Sequence, residues 1–224
     1  MKLKYVFLVG FLLLVLINSC SNNNKIVYNN VIASAHPLAS LSGKKMFEQN
    51  GNAFDAAVAA AFTLSVVEPS MSGIGGRLQA IYHKSSGNIG GVDASTQVPM
   101  NYKASDEKYS YGYKTIGIPG VVAGLLKLHE NHGSLPLEKV MAPSIEYAEK
   151  GYQILPLEAY RQESAKNIFK EFEGTRIHFL HKNGNSYEAG DLIIQKTLSE
   201  TLKQIAINGK SGFYEGEVAL KMVE

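Results

Sequence analysis

Between positions 53 and 67 the chain reads AFDAAVAAAFTLSVV. Wound as a helix, this stretch is small or apolar on every side except at Asp55. A helix with no polar face has to be buried, and its alanines let neighbours approach closely. The rest of the chain must therefore supply layers around it. With 224 residues, 45% of them hydrophobic, it has the material for one domain with a real core. Asn52 stands where a side-chain oxygen caps the first turn, Asp55 places negative charge at the positive end of the helix dipole, and Pro69 lies just beyond its end.

The surroundings follow from periodicity. Residues 31–35 are a strand candidate. Pro37 suits the first turn of a helix running to about residue 49, with Leu38, Leu41 and Met46 on one face. After the buried helix comes SGIGG, then an alternating strand over 78–83, a Ser-Ser-Gly-Asn turn and a return strand over 89–93. Helices are expected from 121 to about 131, from 136 to 150 with Gly151 as a left-handed cap, over 157–172, over 196–207, and from about 215. Residues 176–189 read as irregular or extended. The order predicts an α+β fold, with helices on a sheet that these residues leave incomplete.

The beginning reads differently. Lys2 and Lys4 precede a short apolar run over 7–17, too short for a comfortable membrane span. Leu16-Ile17-Asn18-Ser19-Cys20 resembles a bacterial lipobox, in which the cysteine becomes a lipid-modified N-terminus. Cys20 is the single cysteine of the chain, so an intrachain disulfide is excluded. Residues 1–20 are read as a signal peptide with lipidation at Cys20, and 21–30 as a polar tether. A lipid-anchored, periplasmic or cell-surface location is expected. A net charge of +2 without a basic stripe argues against nucleic acid as a partner.

Gly73, Gly75 and Gly76 follow a helix rather than a strand and lack the Lys-Ser/Thr of a phosphate loop. They are read as a structural turn, with positive φ and close backbone approach. His129 and His132 have a spacing that can hold a metal, but no third ligand lies near in sequence. They are read as surface histidines, His36 as a cap, and Glu138, Glu146 and Glu149 as a solvated face. No metal or cofactor is expected.

Six blocks carry a resemblance: SAHPLAS (34–40), NGNAFDAAVAAAFTLSVVEP (50–69), SGIGG (72–76), GIPGVVAGL (117–125), GSLPLEKVMAPSIEYAEKGY (133–152) and GFYEGEVA (212–219). In order and spacing, residues 31–224 resemble the N-terminal part of the large subunit of γ-glutamyltranspeptidases, the glutathione hydrolases. The resemblance implies an N-terminal nucleophile hydrolase fold, a four-layer αββα sandwich, incomplete here. In that family a precursor cuts itself, and the new N-terminal threonine of the small subunit attacks a γ-glutamyl amide. Its own amine serves as base. The acyl-enzyme is resolved by water or an amino acid. The resemblance places that threonine beyond Glu224, so no catalytic residue is expected here and this stretch alone is expected to be inactive. Expected partners are a γ-glutamyl or related carboxylate-bearing amide, the small subunit of the same precursor, and a membrane through the lipid anchor.

Two departures bear on substrate and suggest a divergent branch. Where the family commonly has DFRETAP, this sequence has Asp93-Ala94-Ser95-Thr96-Gln97-Val98-Pro99. Ser95 replaces the arginine that grips the substrate's α-carboxylate. Where the family continues SGIGG with two glycines and an aromatic residue, this chain has Arg77, Leu78 and Gln79. Arg77 is a candidate to supply the missing cation; the alternative is a surface salt bridge. Two other functional readings stand beside the enzyme: a non-catalytic, lipid-anchored binding remnant of the fold, and a product of a broken reading frame.

Overall fold

A computed structural model describes residues 30–103 and 107–223. Its compact unit begins at Ile32. The expected export segment, Cys20 and the expected tether up to residue 29 lie outside the described residues. No helix among the described residues is long and apolar enough to cross a membrane.

Helix α1 spans Pro37–Glu48 and α2 spans Ala53–Val67. Strands β1 (Leu78–His83) and β2 (Ile89–Ala94) form an antiparallel hairpin. Then come α3 (Val121–His132), α4 (Leu137–Lys150), β3 (Tyr152–Gln153), α5 (Pro156–Glu171), α6 (Glu173–Phe179), β4 (Leu192–Ile193), α7 (Lys196–Asn208), α8 (Ser211–Tyr214) and α9 (Gly216–Val223). The short strands β3 and β4 pair antiparallel in a second open sheet.

The apolar helix α2 is the centre, as its sequence requires. It packs on α1, α3 and α4, and α4 packs in turn on α7. Phe62, Val66 and Val67 are fully buried in one cluster with Met46, Val122, Val140, Met141, Leu202 and Ile205. A buried hydrogen-bonded chain joins the first two helices: Thr63 Oγ1 donates to Ser42 Oγ at 2.8 Å, and Ser42 Oγ donates to the Leu38 carbonyl at 2.9 Å. His36 caps α1, its Nδ1 accepting from the Leu38 amide at 3.1 Å, which is the capping role expected of it.

Helix α3 covers one face of the hairpin and lies close because of Gly124. A Cβ there would sit 2.5 Å from Ala94 Cβ and 2.9 Å from Leu78 Cδ2. The opposite face is open, with Ile81 87% and Ile89 75% exposed. This is the expected α+β arrangement of open sheets flanked by helices.

Some expectations are corrected. Residues 31–35 join no ladder among the described residues. Residues 173–179 are helical, because Thr175 Oγ1 donates to the carbonyls of Phe169 and Phe172 at 2.8 and 3.1 Å and the Phe169 and Phe179 rings meet at 5.5 Å. Gly151 does have a positive φ of +94°, but its ψ of 166° is extended rather than left-handed helical, a backbone state essentially reserved for glycine.

Candidate functional site at the open end of the hairpin

The site is built where the family-like blocks meet. Glu68 ends α2, and its carbonyl accepts the amides of Met71 and Ser72 at 3.1 and 2.8 Å. The chain then turns through residues 73–76, closed by the Gly76 amide on the Gly73 carbonyl at 3.3 Å. The chain does reverse here, but Gly73, Gly75 and Gly76 do not have the expected positive φ. A Cβ on Gly73 or Gly75 would meet nothing within 4 Å. The conformation of the turn therefore does not demand glycine; among the described residues it is simply open.

The far side of the turn anchors the next helix. The Gly76 carbonyl accepts from the amides of Gly120 and Val121 at 3.0 and 3.2 Å, so SGIGG holds two of the free donors at the start of α3. Gly120 also lies against the end of β2, where a Cβ would collide with the Ala94 carbonyl oxygen at 2.2 Å. Gln97 and Ile118 exchange both backbone hydrogen bonds, at 3.0 and 2.8 Å. The Tyr214 hydroxyl donates to the Pro119 carbonyl at 2.8 Å and accepts the Ala123 amide at 3.1 Å. Three segments far apart in sequence, at Gly76, at 94–97 and at Tyr214, are thus fastened around residues 117–123.

Arg77 and Ser95 sit at the open end of this assembly. The ladder pairs Leu78 with Ala94 and Gln79 with Asp93. Arg77 and Ser95 are the next residues of the chain beyond the pair that ends the ladder, and both are exposed. The Ser95 hydroxyl donates to Asp93 Oδ1 at 2.6 Å, with its amide on the same oxygen at 3.1 Å. These bonds, the hydroxyl's first, together with the Gln79 side chain, hold the Asp93 carboxyl below its ordinary range. Ser95 is therefore committed to a neighbouring carboxylate, and an incoming carboxylate would compete for its proton. Among the described residues Arg77 pairs with no carboxylate.

A hollow of about 570 Å³ lies on the α3 side, lined by Ser95, Thr96, Gly120, Lys127, Lys210 and Tyr214 among others. Lys127 and Lys210 were not legible as site residues, because only the fold brings them beside β2. Lys210 also faces Glu130 at 3.7 Å. Among the described residues no cluster of three or more His, Cys, Asp or Glu side chains could hold a metal. The two histidines of α3 are not surface residues of the kind expected. His129 lies 2.8 Å from the Leu135 carbonyl through Nε2, and His132 stacks on Phe54 and Tyr82 at 4.5 and 4.7 Å. Glu138, Glu146 and Glu149 are exposed as expected.

Residues 39–224 match the family model described as Gamma-glutamyltranspeptidase. The chain is 35% identical over 190 residues to the capsule biosynthesis protein CapD proenzyme of Bacillus anthracis, which takes in 84% of this chain and 34% of the relative. It is 34% identical over 204 residues to the glutathione hydrolase proenzyme of Bacillus subtilis strain 168, with 84% and 34% covered. The crystal structure of Helicobacter pylori γ-glutamyltranspeptidase superposes with a TM-score of 0.83 at 34% identity, over 88% of this chain and 60% of that one. The chain thus spans about a third of the length of the curated relatives it matches. Its open sheets and flanking helices match the αββα architecture of these homologues. On this match over residues 39–224, the chain belongs to the γ-glutamyltranspeptidase family.

Proposed function

We propose that these residues form one wall of the substrate pocket of a secreted γ-glutamyl-amide hydrolase or transferase, in which Arg77 binds the carboxylate of the acyl donor. The observation that carries this reading is the placement of two residues at the open end of the hairpin. Ser95, at the position of the family's carboxylate-gripping arginine, shares its hydroxyl with Asp93, and Arg77 and Ser95 are the residues that flank the ladder's last pair, Leu78 and Ala94. An arginine makes a charge-assisted, two-point contact with a carboxylate where a serine makes one neutral bond. The difference is on the order of 1–3 kcal/mol.

The nucleophile is proposed to be an N-terminal threonine on a segment outside these residues. Thr96, Thr115 and Thr201 are internal and carry no free α-amine to act as base, and two of them are engaged in structural bonds: Thr115 Oγ1 with the Gly112 carbonyl at 2.7 Å and Thr201 Oγ1 with the Thr197 carbonyl at 3.2 Å. The exposed hairpin face with Ile81 and Ile89 fits a second sheet of the sandwich, supplied by the small subunit of the same precursor. Export with a lipid anchor at Cys20 belongs to the same reading.

The test uses the full-length gene product and a γ-glutamyl anilide. Release of the amine is expected, with Arg77→Ala raising KM roughly 5- to 150-fold, the kinetic equivalent of about 1–3 kcal/mol of lost binding. No release by the wild type would end the enzymatic reading. Release with an unchanged KM in Arg77→Ala would end the assignment of Arg77.

A further inference from the structure

The segment between α2 and β1 is held by a buried cluster of charged groups that the site described above does not use. Glu158 and Gln162, one turn apart on α5, are each 1% exposed. Glu158 Oε2 accepts the Ser70 hydroxyl, and Oε1 lies 3.4 Å from the Ser70 amide. Gln162 Nε2 donates to Oε1 at 2.9 Å, which fixes the carboxylate from the other side. Arg161 Nη1 stands between two carboxylates, 3.8 Å from Glu68 Oε2 and 3.9 Å from Glu158 Oε2. Glu68 is 7% exposed and is the last residue before Pro69 and the turn. Burial pushes its carboxyl above the ordinary range, Arg161 opposes this, and Glu158 adds to it.

Two buried carboxylates with one partly buried guanidinium are a poor way to gain stability. Removing such charges from water costs several kcal/mol each, and apolar residues of similar volume often do as well or better. What the cluster does provide is a fixed address. Ser70 and Met71 are exposed, and beyond them Gly73 and Gly75 have open space around them. Over residues 70–77 the chain is held at the Glu68 carbonyl, which takes the Met71 and Ser72 amides, at the Glu158 carboxylate, at Ile74, which packs against the core, and at the Gly76 carbonyl on α3. Without the Glu158 anchor, the turn itself has no described bond to α5, and only the Arg161–Glu68 ion pair ties its entry there. Arg77 follows the last anchor directly.

We infer that Glu158, held by Arg161 and Gln162, is a positioning residue: it fixes the entry to the glycine turn and thereby the placement of Arg77 at the substrate pocket. The inference rests on the reading of Arg77 given above. Glu158 touches no substrate. Its effect passes through Ser70 and the turn, so it is expected in substrate binding rather than in the chemical step.

The test compares the full-length gene product with Glu158→Gln and Ser70→Ala by amide hydrogen exchange and by kinetics on a γ-glutamyl anilide. Ser70→Ala removes the same contact from an exposed position and guards against a Glu158 variant that fails to fold. Both variants are expected to exchange at least tenfold faster in peptides covering 68–77, with peptides from α2 and α3 unchanged. Both are expected to raise KM severalfold with kcat retained, and the double variant to be no worse than the stronger single one. Unchanged exchange over 68–77 would overturn the inference, as would faster exchange spread evenly over all peptides. Local loosening with an unchanged KM would overturn the link to Arg77. Wild-type protein without activity on the anilide would end the proposed function instead, and exchange alone would then decide whether the clamp exists.

Discussion

Asp55 Oδ2 accepts the Ser134 hydroxyl at 2.6 Å across 79 residues of sequence. The same carboxylate takes the Asn52 amide at 2.8 Å, and its two oxygens take the amides of Ser134 and Leu135 at 3.0 to 3.2 Å. The one charge on α2 thus closes its own capping box and ties down the start of the 134–136 turn. Burial raises the Asp55 carboxyl, but the bonds from Ser134, Asn52 and Leu135 together outweigh it and leave the group below its ordinary range. Asp55→Ala strands these donors in the interior and is expected to cost on the order of 3–5 kcal/mol at pH 7. Because the folded-state pKa is depressed, the contribution of Asp55 is fully present above the unfolded value near 4 and is lost as pH falls through the folded one. Denaturant midpoints of wild type and variant should therefore converge in acid.

His36 gives a pH dependence at a different point. It is 2% exposed and caps α1 through an unprotonated Nδ1. Burial holds its pKa below the ordinary value, with Glu158 opposing. The neutral ring is the native form. In the unfolded chain it protonates near pH 6.5, in the folded chain only lower. Stability from this group is therefore full above about pH 6.5 and declines as pH falls from there toward the folded pKa. His36→Asn keeps an acceptor for the Leu38 amide and removes the titration. The difference in unfolding free energy between wild type and variant should change across this window and be flat above it. A His36 ring that titrates at or above 6.5 by NMR would contradict the assignment.

Gly124 and Gly120 let α3 lie against the hairpin. Gly124→Ala drives a methyl into Ala94 Cβ and Leu78 Cδ2, and Gly120→Ala drives one into the backbone at Ala94. Side chains can shift and backbone carbonyls cannot do so cheaply. Gly124→Ala is expected to cost about 1–3 kcal/mol, as overpacking does, and Gly120→Ala more. Thermal denaturation of the two variants ranks them.

These relationships show what was legible in the sequence. The burial of α2 followed from fifteen residues without a polar face, and the hairpin from its alternation and turn. Asp55 could be read as a first-turn charge, but not as the ligand of Ser134 and Leu135, because nothing local records a contact that distant. Glu158 and Arg161 look like ordinary polar residues of an amphipathic helix; only the fold turns them inward against Glu68. The pairs Tyr152–Ile193 and Gln153–Leu192 were missed because two-residue strands leave no period to detect. Gly73 and Gly75 were read for a conformation they do not adopt. Glycine in a turn signals several needs, and left-handed φ is only one of them.

The register of the hairpin yields a swap experiment. If Arg77 supplies the cation that Ser95 cannot, the two positions should be interchangeable, since each is the next residue past the Leu78–Ala94 pair that ends the ladder. Arg77→Ser in the full-length gene product should weaken binding of a γ-glutamyl anilide by about 1–3 kcal/mol, seen as a raised KM with kcat little changed. Adding Ser95→Arg should bring the guanidinium back from the neighbouring strand and recover most of the loss. It also breaks the Ser95–Asp93 bond, so the Asp93 carboxyl should titrate closer to its ordinary range in the double variant. Arg77→Lys should recover less, because an ammonium is a point charge without the planar fork that matches a carboxylate. Recovery in the swapped protein, with poor recovery by lysine, is the pattern of a carboxylate contact. Equal KM values in all four proteins would instead make Arg77 a surface residue.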